Sequence, residues 1–401
     1  MKTIILASGE SKEMTPFGEV PKPILHIGNR YLLAHYLKWL KEIALNNINL
    51  IVQENNDRIQ QVFANGEDYS CKINYFVQTE KNKGIGKAIN LAKERINQGE
   101  HFLLIYGDTI FNSNVFLNAL ETFSATKEAT AVITHSKSPE SYGNVYLSGD
   151  MCINKIIEKP EAGQWGNYVL AGVFILPYSF FDSLEKSNFS MESALKDFMT
   201  NNKLKGCIWE EEWIDIVYPW DLLNANRIIM SKWNGIHIDK TAKISRSVHI
   251  DGSVYIDSGA EIKGGTIIRG PAYIGKNCYI GNNALIRKHS SLGSGTLVGY
   301  GVEIKNCLLF EKAQIGRLSF IGDSVIGENV DIGSGVMTVN RQENFENISV
   351  KLGKETVNTE LTKLGICVGN NSIIGGNHTF RPGTIIEADA EIPTNYTYPS
   401  P

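Results

Sequence analysis

Residues 260–298 read AEIKGGTIIRGPAYIGKNCYIGNNALIRKHSSLGSGTLV, and a large aliphatic residue returns at every sixth position. The same series runs without a miss from Ile238 to Ile304, and Gly, Asp, Asn and Lys fill most of the gaps. A six-residue period of this kind predicts a β-helix in which each flat face of a coil points one branched side chain inward. The series occupies positions 238, 244, 250, 256, 262, 268, 274, 280, 286, 292, 298 and 304.

The period loosens near residues 310–332 and is interrupted at about 337–363. It resumes at Val368, Ile374, Phe380, Ile386 and Ile392. An interruption in a solenoid is usually a loop on one face. Two interpretations stay open for this one: an unstructured insertion, or a loop that contributes to a site.

The first half of the chain has a different pattern, in which short strands alternate with helices. The strands are rich in Ile, Val and Leu, as expected where both faces of a parallel sheet are covered. This pattern predicts an open α/β domain over residues 1–232, with ligands at the carboxyl ends of its strands, and the β-helix over 233–401. Strands are predicted at 3–7, 48–53, 73–78, 102–106, 130–134, 153–158, 169–175 and 206–209, and helices at 31–45, 58–64, 87–96, 191–200 and 219–231.

Composition narrows the class of protein. The 401 residues carry a formal net charge of −4, which gives no electrostatic reason to expect a nucleic acid or a membrane as partner. No apolar run approaches the roughly 20 residues that span a bilayer, and the N-terminus has no basic leader pattern. The cysteines are scattered singly, which is typical of reduced thiols. We therefore expect a cytoplasmic protein without disulfides.

Two features of the first half suggest phosphate and metal chemistry. Residues 5–23 read ILASGESKEMTPFGEVPKP, so a strand runs into a turn of small residues and then into Pro-Lys-Pro. Backbone N–H groups in a tight loop after a strand are a common phosphate site. Asp108 follows strand 102–106, and Asp215 stands shortly before the last helix. A carboxylate so placed suits Mg²⁺, although Gly-Asp at 107–108 is also typical of a plain turn, Asp215 alone is no more specific, and Asp221 could serve only the first turn of that helix.

These segments, together with Tyr-Pro-Trp-Asp at 218–221, resemble the motifs of the archaeal-type bifunctional sugar-1-phosphate nucleotidylyltransferase/acetyltransferase family. The resemblance covers nearly the whole chain. It implies a Rossmann-like nucleotidylyltransferase domain, then a left-handed β-helix that forms a homotrimer. It also implies Mg²⁺ held by Asp108 and Asp215, phosphates oriented by Lys22 and Lys159, and a nucleobase read by Gln78. Further nucleotide contacts would come from Ala7, Ser8, Gly9, Lys12 and Gly84, and sugar contacts from Gly143, Glu158 and Gly172.

The first half departs from the family pattern at several positions. The family signature is Leu-Ala-Ala-Gly-x-Gly-Thr-Arg, and here its second glycine is Ser11, its threonine is Lys12 and its arginine is Glu13. Loss of a donor that stabilises charge on the transferring phosphate costs about 10²–10³ in rate. Leu170 takes the place of a sugar-contacting asparagine, and Ile85 takes the place of a threonine.

The β-helix departs further. Arg317 and Phe320 stand where relatives carry the His and Tyr of a His-Leu-Ser-Tyr motif. Arginine cannot act as the general base that the histidine would be. Asn340 fits the acetyl site, whereas Glu346 and Ser349 replace two lysines. We therefore expect the acetyltransferase site to be inactive, while acetyl-CoA binding stays open.

The expected function is a Mg²⁺-dependent sugar-1-phosphate nucleotidylyltransferase that joins a sugar 1-phosphate to an NTP and releases pyrophosphate. UTP or dTTP is favoured, because Gln78 suits a pyrimidine edge. A second interpretation stays open, because central residues of both sites are replaced in one chain. In that interpretation the protein is a non-catalytic nucleotide-binding or regulatory subunit of a sugar-nucleotide pathway, possibly paired with an intact paralogue.

Overall fold

The computed structural model describes residues 1–9, 12–54, 57–161, 163 and 165–395. Contacts divide the chain into two compact units that do not follow chain order. The first unit holds the described parts of Met1–Glu10, Pro21–Ile24 and Leu32–Trp213. The second holds those of Ser11–Val20, Leu25–Tyr31 and Ile214–Pro401. The predicted boundary between residues 232 and 233 treats both domains as continuous segments and stays a prediction.

A nine-stranded sheet forms the centre of the first unit. Four of its strands are parallel neighbours, in the order His101–Tyr106, Lys2–Ala7, Asn47–Gln53 and Lys72–Gln78. Tyr168–Pro177 runs antiparallel to His101–Tyr106, so the sheet is mixed rather than wholly parallel. The remaining strands of this sheet are Ala129–Thr134, Gly143–Leu147, Ile153–Glu158 and Leu204–Trp209.

Helix Leu32–Glu42 is buried over most of its surface. Eight of its side chains are buried, including every residue from Leu32 to Leu37, and Lys38 and Lys41 in its second half face solvent. The predicted helix at 87–96 is shorter, because Ile85–Asn90 is followed by a 3₁₀ turn at Lys93–Arg95. The described helices are Leu32–Glu42, Asp57–Phe63, Ile85–Asn90, Val115–Thr126, Phe180–Lys186 and Met191–Asn201.

Three parallel sheets of short strands build most of the second unit, which confirms the predicted β-helix. Ile256 pairs with Ile274, and Ile274 pairs with Leu292, so three six-residue repeats complete one coil. From Ile244 onward the aliphatic series stacks into a continuous core, in which Ile262 and Ile280 are fully buried, whereas Ile238 at the start of the series is exposed. Asn277 and Asn283, six residues apart, turn the corners with positive φ. Asparagine tolerates that left-handed conformation better than most residues.

The loosened period at 310–332 does not break the coil. Leu292 pairs with Leu309, and Leu309 pairs with Ile326, so these coils are 17 residues long rather than 18. The interruption at 337–363 contains an antiparallel hairpin of Ser349–Leu352 and Glu355–Asn358. It is therefore not the unstructured insertion that was one interpretation.

The second unit also includes two pieces outside the β-helix. Helix Asp221–Met230 confirms the helix predicted at 219–231, and it is two residues shorter at its start and one shorter at its end. His26–Ile27 and Arg30–Tyr31 form a short hairpin. Gly28 turns this hairpin at φ 63°, and a Cβ there would lie 2.9 Å from Cγ2 of Ile229. Only glycine meets both conditions.

All six cysteines are free thiols, and four of them are buried. Burial raises the pKa of the Cys278, Cys307 and Cys367 thiols to about 12, which suits inert packing rather than reactivity. Within the described ranges, no helix is long and apolar enough to cross a membrane.

Candidate active site

A cleft of about 470 Å³ lies at the carboxyl ends of the four parallel strands of the first unit. This is where ligands bind in open α/β sheets. Each strand contributes the residues at or just past its end, and the turn between strand Lys72–Gln78 and helix Ile85–Asn90 closes one side. The lining includes Ser8, Gly9, Gln53, Glu54, Gln78, Thr79, Glu80, Lys83, Gly84, Tyr106 and Asp108.

The turn after strand His101–Tyr106 places Asp108 in this cleft. The Gly107 N–H donates to the carbonyl of Leu6 at 2.8 Å, and a Cβ on Gly107 would lie 2.3 Å from that oxygen. Glycine is therefore required by close approach of two backbones. Tyr36 stabilises this turn, because its hydroxyl donates to the carbonyl of Thr109 and lies 3.3 Å from the carbonyl oxygen of Tyr106.

Lys22 of the Pro-Lys-Pro segment pairs with Asp108. Its Nζ lies 3.4 Å from Oδ2 of Asp108, and the two side chains are 11% and 33% exposed. The structure thus brings together a predicted phosphate-binding lysine and a predicted metal ligand. The Lys22 ammonium is nearly buried and the Asp108 carboxylate is partly exposed. Lys22 can therefore exchange this carboxylate for a phosphate oxygen, since both are anionic acceptors.

Gln78, the predicted base-reading residue, is fully engaged inside the protein. Its Oε1 accepts from the Ser8 hydroxyl, and its Nε2 donates to the carbonyls of Asn82 at 2.7 Å and Gly84 at 3.0 Å. These bonds join the turn after strand Lys2–Ala7 to the turn after strand Lys72–Gln78. Gly84 has φ 112° and ψ 152°, a conformation essentially reserved for glycine.

The predicted sugar-binding residues converge across two neighbouring strands. Gly143 faces Glu158 in the register of the sheet, and a Cβ on Gly143 would lie 2.7 Å from Oε2 of Glu158. The same Cβ would lie 3.1 Å from Leu170, so the leucine forms an apolar wall where the family has an amide. Partial burial raises the pKa of the Glu158 carboxyl, Lys159 opposes that rise, and Glu192 adds to it.

Tyr106 is a cleft residue that the sequence did not single out. Its ring packs on Gly172, where a Cβ would lie 2.9 Å from Cβ of Tyr106 and where φ is 79°. Burial raises the pKa of the Tyr106 hydroxyl, and the carboxylates of Glu158 and Asp108 raise it further. Tyr106 therefore lies within electrostatic range of both Glu158 and Asp108. Its position at the strand end before Gly107 and Asp108 was the available signal.

Several predicted residues belong to the second unit. Lys12 and Glu13 lie in a 3₁₀ turn, Lys12–Met14, and both are exposed. Ser11, the replaced glycine, lies outside the described residues. Asp215 ends the short strand Trp213–Asp215 and is partly buried.

Tyr218 lies within electrostatic range of Glu13, the carboxylate that replaces the signature arginine, and of two further carboxylates of the second unit. Burial raises the pKa of the Tyr218 hydroxyl, and Glu13, Asp221 and Glu355 raise it further in that order. Asp221 also accepts hydrogen bonds from the N–H groups of Val217 and Tyr218 at 2.9 and 2.7 Å. Asp221 thus fixes the turn before the last helix, the structural role considered for it from the sequence.

The acetyltransferase-like positions in the β-helix contain a different polar cluster. Asp323 is buried and pairs with Lys305 at 2.9 Å, and it also accepts from Asn306 and Asn340. The side-chain amide of Asn340, expected at an acetyl site, therefore donates to a carboxylate of the protein itself. Phe320 lies on the adjoining coil surface, where its ring would contact a Cβ on Gly322 at 2.6 Å.

Comparison with known proteins supports one family. A family model described as nucleotidyl transferase matches residues 2–232, and one described as GMPPB C-terminal domain matches residues 268–395. The chain belongs to the nucleotidyl transferase family. Its similarity to two members extends over nearly its whole length.

The bifunctional protein GlmU of Methanocaldococcus jannaschii is 33% identical over 399 residues, which cover 98% of this chain and 93% of that protein. The bifunctional sugar-1-phosphate nucleotidylyltransferase/acetyltransferase of Sulfurisphaera tokodaii is 30% identical, with 98% and 96% covered. A crystal structure of a putative glucose-1-phosphate thymidylyltransferase from Bacillus anthracis shares the fold, with a TM-score of 0.53 at 22% identity. That match covers 57% of this chain and 95% of the other.

These findings confirm the family resemblance and the fold class expected from the sequence. The individual roles of Lys22, Lys159, Asp108, Asp215 and Gln78 stay predictions. The geometry of the first unit is compatible with the roles of Lys22, Asp108 and Gln78, because Asp108 and Gln78 line one cleft and Lys22 pairs with Asp108.

Proposed function

We propose that this chain is a sugar-1-phosphate nucleotidylyltransferase, which joins a sugar 1-phosphate to a nucleoside triphosphate and releases pyrophosphate. The observation that carries the proposal is the Lys22–Asp108 pair beside a cleft at the carboxyl ends of four parallel strands. The name of the Sulfurisphaera tokodaii relative, a bifunctional sugar-1-phosphate nucleotidylyltransferase/acetyltransferase, supports the same reaction class.

In this reaction an oxygen of the sugar phosphate forms a bond to the α-phosphorus of the nucleotide. The bond from that phosphorus to the pyrophosphate oxygen breaks, and pyrophosphate leaves with the electron pair. The protein contributes orientation and charge stabilisation rather than covalent chemistry. Lys22 would hold a nucleotide phosphate, Lys159 the sugar phosphate, and Glu158 the sugar hydroxyls.

Enzymes of this family typically need a divalent metal, and the residues of the cleft fit Mg²⁺. Among the described residues, no group of three or more His, Cys, Asp or Glu could hold an ion alone. Mg²⁺ usually needs only one or two carboxylates, with waters and substrate phosphates as its other ligands. Asp108 would supply one carboxylate and, by the family resemblance, Asp215 the other. Bound Mg²⁺ would neutralise charge on the phosphates.

The nucleotide proposed is UTP or dTTP. Gln78 carries both an amide donor and an acceptor, which suits the edge of a pyrimidine. To meet a base, its amide would exchange the carbonyl of Asn82 or Gly84 for the ligand. Breaking these hydrogen bonds of Gln78 would lower the affinity for the nucleotide.

A second candidate function is a nucleotide-binding or regulatory subunit without turnover. Glu13 favours it, because this exposed carboxylate stands where the family signature has an arginine that would donate to the phosphate. The β-helix would then serve assembly, as a homotrimer or with an intact paralogue. Light scattering at the mass of a monomer would exclude the homotrimer.

Pyrophosphate release separates the two candidates. Purified full-length protein is assayed with Mg²⁺, a panel of nucleoside triphosphates and a panel of sugar 1-phosphates, beside Asp108→Asn as control. Release above the control supports the enzyme. Calorimetric binding of a nucleotide without release supports the subunit, and absence of both binding and release contradicts both.

A further inference from the structure

Glu158 and Leu170 place a charged and an apolar side chain next to each other on the sheet of the first unit. A Cβ built on Gly143 would lie 2.7 Å from Oε2 of Glu158 and 3.1 Å from Cδ1 of Leu170, so both side chains lie over this glycine. Glu158 is exposed and Leu170 is only partly buried, so a ligand can reach both. We call these three residues the Gly143 surface.

Hydrogen bonds fix the backbone that carries Glu158. The N–H of Glu158 donates to Oε1 of Glu192 at 3.4 Å, and the N–H of Lys159 donates to the carbonyl of Tyr142 at 3.1 Å. Gly143 is also the register partner of Glu158 in the sheet. The carboxylate is therefore presented from a defined strand end rather than from a free loop.

Leu170 lies close to the cleft along its own strand. Two residues further on, a Cβ on Gly172 would lie 2.9 Å from Cβ of Tyr106, and Tyr106 lines the cleft. Leu170 and Tyr106 both pack on the same hydrophobic core. Two residues span at most about 7 Å, so one ligand can contact the cleft wall and the Gly143 surface together.

The amide next to the Gly143 surface is used inside the protein. Asn144 is fully buried, and its Nδ2 donates to the carbonyls of Pro139 at 2.6 Å and Tyr142 at 3.0 Å. Its Oδ1 accepts from the N–H of Gly166 at 3.0 Å. Leucine has neither a donor nor an acceptor in its side chain. On the Gly143 surface, side-chain hydrogen bonding therefore belongs to Glu158, and Leu170 offers only apolar contact.

We propose that Leu170 is a specificity-determining residue, and that the preferred substrate is a deoxy sugar 1-phosphate that lacks a hydroxyl where it meets Leu170. The inference rests on the proposed function, in which Glu158 accepts from the sugar hydroxyls. A hydroxyl placed against Leu170 would lose its hydrogen bonds to water and gain none in return. A hydrogen atom or a methyl group at the same position loses nothing and gains contact with the leucine.

The size of the preference follows from the chemistry of the contact. An apolar pocket rejects an added hydroxyl by at most about a hundredfold. Leu170 is partly buried, so some water still reaches the contact. We therefore expect one deoxy analogue to exceed its parent sugar by about tenfold in kcat/KM.

The test measures pyrophosphate release by the full-length protein. The parent is the hexose 1-phosphate that reacts fastest, and it is compared with its four analogues that each lack one ring or exocyclic hydroxyl. In Leu170→Asn, which adds a donor and an acceptor, the ratio of deoxy analogue to parent in kcat/KM should fall to about one or below. Leu170→Met stays apolar and should keep most of the preference.

Leu147→Asn is the matched control. Leu147 is a partly buried leucine that packs on the same core as Leu170, and it ends the strand that begins at Gly143. Four residues of a strand span about 13 Å, which places it away from the Gly143 surface. A loss of folded protein lowers both rates together, so Leu147→Asn should leave the ratio unchanged.

Some outcomes would overturn the inference while the proposed function stands. Faster reaction of the parent than of every deoxy analogue in the wild-type protein is one. A ratio that changes no more in Leu170→Asn than in Leu147→Asn is another. If Leu170→Asn does not fold, Leu170→Ala replaces it, and an unchanged ratio there overturns the inference as well.

The failure of the proposed function has a different signature, in which the wild-type protein releases no pyrophosphate with any sugar 1-phosphate. Calorimetry then tests Leu170 by direct binding of the parent hexose 1-phosphates and their deoxy analogues. Tighter binding of a deoxy analogue by the wild-type protein, lost in Leu170→Asn, supports the assignment of Leu170. Equal binding of parent and analogues, or no binding of either, overturns it.

Discussion

Replacing Asp108 by asparagine should have opposite effects on nucleotide binding and on turnover. The Asp108 carboxylate lies 3.4 Å from the Lys22 ammonium, so it both occupies this cation and repels an incoming triphosphate. Asparagine keeps the shape and removes the charge. Without metal, Lys22 then meets phosphate unopposed, and nucleotide binding should become tighter. With Mg²⁺, pyrophosphate release should fall by about a hundredfold, because a carboxylate ligand is lost.

The size of the binding effect follows from the exposure of the pair. Unit charges about 4 Å apart interact by about 1 kcal/mol in water and about 4 kcal/mol at the effective dielectric near a protein surface. Lys22 is 11% exposed and Asp108 33%, so solvent screens the pair in part. A net gain of about 1–2 kcal/mol, or about 5–30-fold in Kd, is expected.

Calorimetry in EDTA measures this gain for wild type, Asp108→Asn, Lys22→Met and the double variant. In the double variant the gain should largely disappear, because it acts through Lys22. Asp182→Asn, a change of the same kind on a helix of the first unit, is the matched control and should leave binding unchanged. Unchanged or weaker binding by Asp108→Asn in EDTA would refute the assigned coupling between Lys22 and Asp108.

Two further predictions concern stability. Gly107→Ala should destabilise by about 3 kcal/mol or more, because its Cβ would lie 2.3 Å from the Leu6 carbonyl, whereas Gly149→Ala, with nothing within 4 Å, should change the urea midpoint little. Equal midpoints would contradict the close approach. Burial and then Arg30 lower the pKa of His26 from 6.5 to about 4. The folded state thus binds fewer protons than the unfolded state between these values, so stability is full above pH 6.5 and declines toward pH 4, by at most about 3 kcal/mol. His26→Gln should flatten that decline, and an unchanged pH profile would contradict the burial of a neutral imidazole.

The sequence predicted the β-helix well, because its period is imposed by geometry: every sixth side chain must enter one core. It did not predict that the coil continues through 310–332. A coil one residue shorter, as between Leu292 and Leu309, erases the period without disturbing the pairing. Helix Val115–Thr126 also lacked a clear pattern. Its local signal was the capping Asn114, whose side chain accepts from the N–H of Leu117 at 3.3 Å.

The candidate site was predictable only where its residues stand at strand ends. Asp108 and Gln78 each follow or end an apolar run, and parallel strands bring such ends together. The engagement of the Gln78 amide by Ser8 and Gly84 depends on side-chain geometry that no spacing reveals. The Phe17 and Phe310 rings pack together although they are distant in sequence and no local pattern marks the contact, so the sequence could not predict that residues 12–20 belong to the second unit.

The departures from the family fall where the fold does not depend on the family residue. Glu13 is exposed, and Leu170 packs on the core of the first unit, so either replacement is compatible with a stable protein. A preserved fold therefore says nothing about turnover. The Lys22–Asp108 pair is more informative, because a partly buried ion pair seldom stabilises a protein more than an apolar pair of similar size. In the proposed function its chemical value lies in exchanging one anion for another, the carboxylate of Asp108 for a phosphate of the substrate.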